Sequence, residues 1–129
     1  FISGSSFDYC YGIKKVVLNE GLTVIFRSAF GFAESLTEIN FPSTLEEIGD
    51  SAFYDCKRLK TLDLSKTKLR KISAGCFAEC ADTEKVILPE TVYRIEKEAF
   101  FRDKNLADIN IPRALTEIDT TVCRTGRMY

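Results

Sequence analysis

Histidine is absent from the 129 residues. That absence removes Ser-His-Asp and Cys-His catalysis and every histidine-containing metal site. The seven glycines are scattered, so there is no glycine-rich phosphate loop. No Asn-x-Ser/Thr glycosylation acceptor occurs. No apolar run approaches the ~18 residues of a membrane span. Charge of neither sign dominates: 18 basic and 19 acidic residues give a formal net charge of -1. This balance offers no bulk attraction to nucleic acid and no acidic tail. No Met opens the chain, which starts inside a repeating unit at Phe1-Ile2. It therefore reads as a segment of a longer protein, and missing targeting signals say little about where that protein resides.

What the chain has is repetition. Phenylalanine recurs at Phe7, Phe30, Phe53, Phe77 and Phe100, with Cys123 in the sixth place, in steps of 23, 23, 24, 23 and 23 residues. Isoleucine stands five residues before each, at Ile2, Ile25, Ile48, Ile72, Ile95 and Ile118. Two further apolar registers follow each phenylalanine, beginning with Val16 and Leu18 and ending with Ile109 and Ile111. A unit of about 23 residues closes no core alone, so stacking must bury its apolar face against the next unit. The 45% apolar fraction supplies that core, and 29% charged residues cover its surface.

The triplets Val16-Val17-Leu18, Ile39-Asn40-Phe41, Leu62-Asp63-Leu64, Val86-Ile87-Leu88 and Ile109-Asn110-Ile111 alternate with period two. They predict one parallel sheet of five short strands, one per coil. Pro42, Pro89 and Pro112 follow three of these triplets and mark where pairing stops. A small residue and the phenylalanine close the return leg, as in Ala52-Phe53 and Cys76-Phe77, and the rings should stack as a spine.

Residues 36–53 and 86–112 carry the pattern L-x-x-I-x-Φ-P-x-x-L-x-x-I-x-x-x-A-F most closely. This pattern resembles the BspA-like leucine-rich repeats. The 24-residue unit departs from it. Leu59, Leu62, Leu64 and Leu69 instead resemble the general pattern L-x-x-L-x-L-x-x-N-x-L, with Thr67 in the Asn position and the extra residue in the turn after the strand. The resemblance implies an α/β repeat, a leucine-rich repeat solenoid of about five coils, with residues 1–129 forming a single domain. Residues 124–129 carry no strand pattern and are expected to fray.

Slot by slot, the five cysteines lose their appearance of a metal or disulfide framework. Cys10, Cys56 and Cys80 share the slot three after the phenylalanine, where other units place Ala33, Asp103 and Gly126. Cys76 takes the small slot and Cys123 the phenylalanine slot. Buried free thiols inside the coil account for this placement. A Cys56–Cys80 bridge between adjacent coils stays open if the compartment oxidises, because equivalent positions on neighbouring coils approach the Cα separation a disulfide needs. Glu46 and Glu47 are available for acid–base work, but Arg70 and Lys71 occupy the equivalent sites one coil on, which predicts cross-coil ion pairs instead. No catalytic set, cofactor or metal follows.

Binding remains, on two candidate surfaces. The outward sheet positions are Lys15, Glu38, Thr61, Lys85 and Asp108, with Val17, Asn40, Asp63, Ile87 and Asn110 beside them. Their changing charge forms no nucleic-acid stripe. They read either as a solvated face that avoids like-charge neighbours or as a platform for a protein partner. The second surface is the turn beyond the phenylalanine spine. Phe32, Tyr54 and Phe101, preceded by Tyr9, lie one or two residues past it, and Tyr93 sits on the return leg. The resemblance implies a non-catalytic recognition module of a microbial cell-surface or secreted protein, with adhesion or host-protein binding as its role. A cytoplasmic scaffold or regulatory module is the alternative, compatible with unpaired thiols and absent glycosylation sites.

Overall fold

The computed structural model describes residues 11–119 and 121–122. The expectations for Ile2, Phe7, Tyr9, Cys10, Cys123 and residues 124–129 lie outside the described residues. Each coil contributes two short strands. Coil 1 holds β1 (Lys15–Val16) and β2 (Val24–Ile25), and coil 2 holds β3 (Glu38–Ile39) and β4 (Glu47–Ile48). Coil 3 holds β5 (Thr61–Asp63) and β6 (Lys71–Ile72), and coil 4 holds β7 (Lys85–Ile87) and β8 (Arg94–Ile95). Coil 5 holds β9 (Asp108–Ile109) and β10 (Glu117–Ile118).

All pairing is parallel and joins equivalent slots of neighbouring coils: Val16 faces Ile39, Val86 faces Ile109 and Ile25 faces Ile48. The single five-stranded sheet is corrected. Two strand columns form, and both are interrupted between coils 2 and 3, leaving sheets β1-β3, β5-β7-β9, β2-β4 and β6-β8-β10. The strands also begin one residue before the predicted triplets, and two of them end early for a visible reason. Asn40 Oδ1 accepts the Leu18 N–H at 2.7 Å and its Nδ2 donates to the Leu18 carbonyl at 2.7 Å. Asn110 does the same to Leu88, at 2.6 and 3.0 Å. A side-chain amide thus replaces the next main-chain rung.

The extra residue of the long unit lies where the sequence puts it, between β5 and β6, since Thr61 pairs with Lys85, 24 residues on, and Lys71 with Arg94, 23 residues on. Thr67, in the Asn position, is buried, and its N–H and hydroxyl both donate to the Leu64 carbonyl at 3.1 and 2.8 Å.

Among the described residues there is no helix, so the α part of the expected α/β repeat is corrected. The reason lies in the turn around each phenylalanine. Two residues per turn have positive φ: Ser28, Ser51, Gly75 and Glu98 before the ring, and Phe32, Asp55, Glu79 and Arg102 after it. Alternating left- and right-handed residues cannot continue a helix. They send every second amide along the stack instead. The Phe30, Phe53, Phe77 and Phe100 N–H groups donate forward to Ala52, Cys76, Ala99 and Val122, at 2.8, 2.9, 2.9 and 3.1 Å. The intervening amides close local turns, as Ala33 does onto Phe30.

Inside this ladder the rings form the predicted spine. Phe30, Phe53, Phe77 and Phe100 are buried, with successive centroids 5.1, 5.4 and 6.0 Å apart and planes within 14°, a separation typical of stacked aromatic pairs. Leu45, Leu69, Val92 and the isoleucines Ile25, Ile48, Ile72 and Ile95 fill the rest of the core. Cys56, Cys76 and Cys80 are free and buried there. The Cys56 thiol donates to the Phe30 carbonyl at 3.2 Å and the Cys80 thiol to the Phe53 carbonyl at 3.3 Å. These two thiols bind the preceding coil.

Candidate functional site

The odd-numbered strands bring the first predicted row together as one exposed column, Lys15, Glu38, Thr61, Lys85 and Asp108. Neighbours of opposite sign pair across the rungs: Lys15–Glu38 and Lys85–Asp108 both span 3.8 Å. All four side chains are more than half exposed, and such pairs are worth only about 0–1 kcal/mol. They are available to a partner at little cost.

The second row divides. Asn40 and Asn110 spend their amides on the main chain, as described. Asp63 Oδ1 accepts the Ser65 hydroxyl at 2.6 Å and its N–H at 3.1 Å. These Ser65 hydrogen bonds hold the Asp63 carboxyl below its ordinary range. That leaves Val17, exposed, and Ile87, half-buried, as the apolar members of the face. A shallow groove of about 480 Å³ crosses it, lined by Lys15, Val17, Glu38, Asn40 and Thr61.

The four predicted aromatics are all half-buried but do not form one patch. Phe32 and Tyr54 touch, with centroids 5.4 Å apart and planes tilted by 55°. Phe101 carries the Arg102 guanidinium over its ring at 5.2 Å, and it shares a cleft with Tyr54. Tyr93 stands apart on the even-strand face, with the Arg70 guanidinium 5.8 Å from its centroid.

That even-strand face is a surface the sequence pattern does not announce. It bears a groove of about 610 Å³ lined by Glu46, Glu47, Lys68, Arg70 and Tyr93 among others. The expected pairing of Glu46 and Glu47 with Arg70 and Lys71 is corrected. Lys71 reaches Glu96 at 3.8 Å, and among the described residues neither Glu46 nor Glu47 has an ion-pair partner within 4.0 Å. The interrupted ladder between β4 and β6 removes the side-by-side register that such pairs need. The only signal in the sequence was the unit's 24-residue length.

Chemically the interior is quiet. Burial pushes the Cys56 thiol up to about 12 and raises those of Cys76 and Cys80, so none is a ready nucleophile. Among the described residues no group of three or more Cys, Asp or Glu side chains is placed to hold a metal ion, and no helix is long and apolar enough to cross a membrane.

Several solved bacterial structures share this fold. A leucine-rich repeat protein from Eubacterium ventriosum superposes with a TM-score of 0.81 at 19% identity, covering 92% of this chain and 38% of that one. A leucine-rich cell surface protein from Faecalibacterium prausnitzii gives 0.72 at 22% identity, over 89% of this chain and 33% of that one. The T. pallidum leucine-rich repeat protein gives 0.65 at 24% identity, over 89% and 64%. The chain thus spans less than two thirds of each of these structures. No curated protein matches it significantly. The BspA-type leucine-rich repeat region matches residues 1–125 in six copies, and with coils that superpose slot on slot this chain belongs to that family.

Proposed function

We propose that this chain is a non-catalytic protein-recognition segment of a microbial surface or secreted protein, acting in adhesion or host-protein binding. The observation that carries the reading is the contrast between inside and outside. Inward slots repeat almost without change, Phe upon Phe and Ile upon Ile, whereas the outward column changes sign and size at every coil. A scaffold that holds its core constant and varies an exposed, weakly paired face is suited to selecting a partner by complementarity. The surface assignment draws further support from the F. prausnitzii relative, which is described as a cell surface protein.

A second reading, an intracellular scaffold, is favoured by one feature: Cys56, Cys76 and Cys80 are free thiols. Protease shaving of intact source cells separates the two, since removal of the parent protein from the cell exterior supports the surface reading. Recognition through the odd-strand face is tested by Lys85→Glu/Ile87→Ser. Lys85 is exposed and Ile87 half-buried, so this pair of changes should cost about 0.5–3 kcal/mol, and the folded variant should no longer capture a partner that binds wild type. Undiminished capture would rule the face out.

A further inference from the structure

The turn around each spine phenylalanine has three slots that line one cleft, two before the ring and one after it, and their sizes change abruptly at coil 3. Coil 2 places Asp50, Ser51 and Tyr54 there, and coil 4 places Lys97, Glu98 and Phe101. Between them coil 3 places Ala74, Gly75 and Ala78, each the smallest occupant of its slot among these three coils. These nine residues are the whole lining of a cleft of about 250 Å³. Its floor is Ala74 and the left-handed Gly75 (φ 61), both half-buried, with Ala78 beneath them only 1% exposed. Its walls are two half-buried aromatic residues standing two coils apart, or about 10 Å at the usual strand spacing. A flat group entering there meets an aromatic residue on each side.

The charge around the cleft decides what that group is. Asp50 and Glu98 lie in opposite walls, and Asp55 and Glu79 add to the negative field at Tyr54, whose phenol is raised by burial first and by Glu79 and Asp55 next. Of the nearby cations, Arg102 pairs with Glu79 at 3.9 Å and Lys57 with Asp55 at 3.4 Å; with Lys97 in the coil-4 wall, the lining itself holds two carboxylates and one ammonium. The ring chemistry is already in use nearby, in the Arg102 guanidinium over Phe101. A guanidinium is flat, stacks on aromatic faces and donates in pairs to carboxylates.

We infer that the coil-3 cleft receives an arginine side chain of the protein partner, held between Tyr54 and Phe101 and paired with Asp50 and Glu98. The inference rests on the recognition reading and names the partner's chemistry at a surface separate from the odd-strand face.

The test is a titration followed by NMR, with N-acetyl-arginine methylamide and its uncharged analogue N-acetyl-norleucine methylamide as probes. The arginine probe should shift the Tyr54, Ala78 and Phe101 signals, and the norleucine probe should bind at least about tenfold more weakly, the equivalent of about 1.4 kcal/mol. Ala78→Tyr fills the cleft and should abolish the arginine response. Should that variant fail to fold, Asp50→Asn/Glu98→Gln changes only exposed or half-exposed groups and should weaken the probe by about tenfold. No shift at these residues, equal binding of both probes, or full binding by the folded variants would each overturn the inference. Because the probes need no natural partner, such a failure leaves the recognition reading standing; loss of partner capture by the Lys85→Glu/Ile87→Ser variant tests that reading separately.

Discussion

At the scale of single residues, Asp103 departs furthest from its repeat. It occupies the slot of Cys56 and Cys80, is 1% exposed, and its Oδ2 has no hydrogen-bond partner among the described residues, while Oδ1 accepts the Cys80 N–H at 2.9 Å. Burial, opposed by that bond and reinforced by Glu79, pushes its carboxyl up to about 9 from an ordinary 3.8. A carboxyl whose folded pKa is raised holds its proton more tightly when folded, so its contribution to stability is complete below about pH 4 and falls as pH rises toward 9. The slope approaches about 1.4 kcal/mol per pH unit where only the unfolded chain is ionised. Urea midpoints at pH 5 and pH 8 should therefore differ clearly for wild type and much less for Asp103→Asn. A cysteine at this position, Asp103→Cys, should stabilise at pH 8 by restoring a thiol of the kind that binds Cys56 and Cys80 to the coil before. Equal pH dependence in wild type and Asp103→Asn would refute the account.

Turns and strands are held by close approach between coils more than by propensity. Strands of two or three residues have little stability of their own; they exist because the neighbouring coil supplies the complementary edge. Gly49 shows how tight the contact is. A Cβ there would lie 2.4 Å from the Arg27 nitrogen and 2.8 Å from its Cα, while the Gly49 N–H already donates to the Ile25 carbonyl at 2.7 Å. The obstruction is main chain and cannot swing aside. Gly49→Ala should cost about 1–3 kcal/mol or more, measured as a fall in thermal midpoint, whereas Gly21→Ala meets no atom within 4 Å and suffers only its φ of 104°. The turn around each spine phenylalanine needs no helix for the same reason: its forward amide ladder runs from coil to coil.

For the whole molecule, the junction between coils 2 and 3 is the natural line of division. Both strand columns are interrupted there, and what continues is the turn ladder, the Phe53–Phe77 stack at 5.4 Å and a few separate bonds: Ser73 Oγ to the Ile48 carbonyl at 2.6 Å, the Lys68 N–H to the Leu45 carbonyl at 2.8 Å, the Asp82 N–H to the Lys57 carbonyl at 2.9 Å and the Cys80 thiol to the Phe53 carbonyl. Solenoid stability is close to a sum of coil and nearest-neighbour terms, so the interface with fewest bonds parts first. Phe30→Ala, costing about 3–5 kcal/mol, should accelerate amide exchange at Phe30 and Glu47 and leave Val86 and Phe100 protected. A uniform rise across all coils would show instead that the five coils unfold as one.

Sequence alone determined the unit length, the spine phenylalanines, the isoleucine column and the place of the extra residue. Those features depend on an apolar pattern that recurs from coil to coil along the chain. Tertiary structure decided which outward residues are already committed: Asn40 and Asn110 to main chain, Asp63 to Ser65, Lys71 to Glu96. It also decided that Ser51, Glu79 and Glu98 adopt positive φ, which no glycine announced, and that three small residues in coil 3 open a cleft. Inward slots see the same surroundings at every coil, so one residue type serves them all. Outward slots depend on which polar group the next coil brings within about 3 Å, and that distance exists only once the coils are stacked.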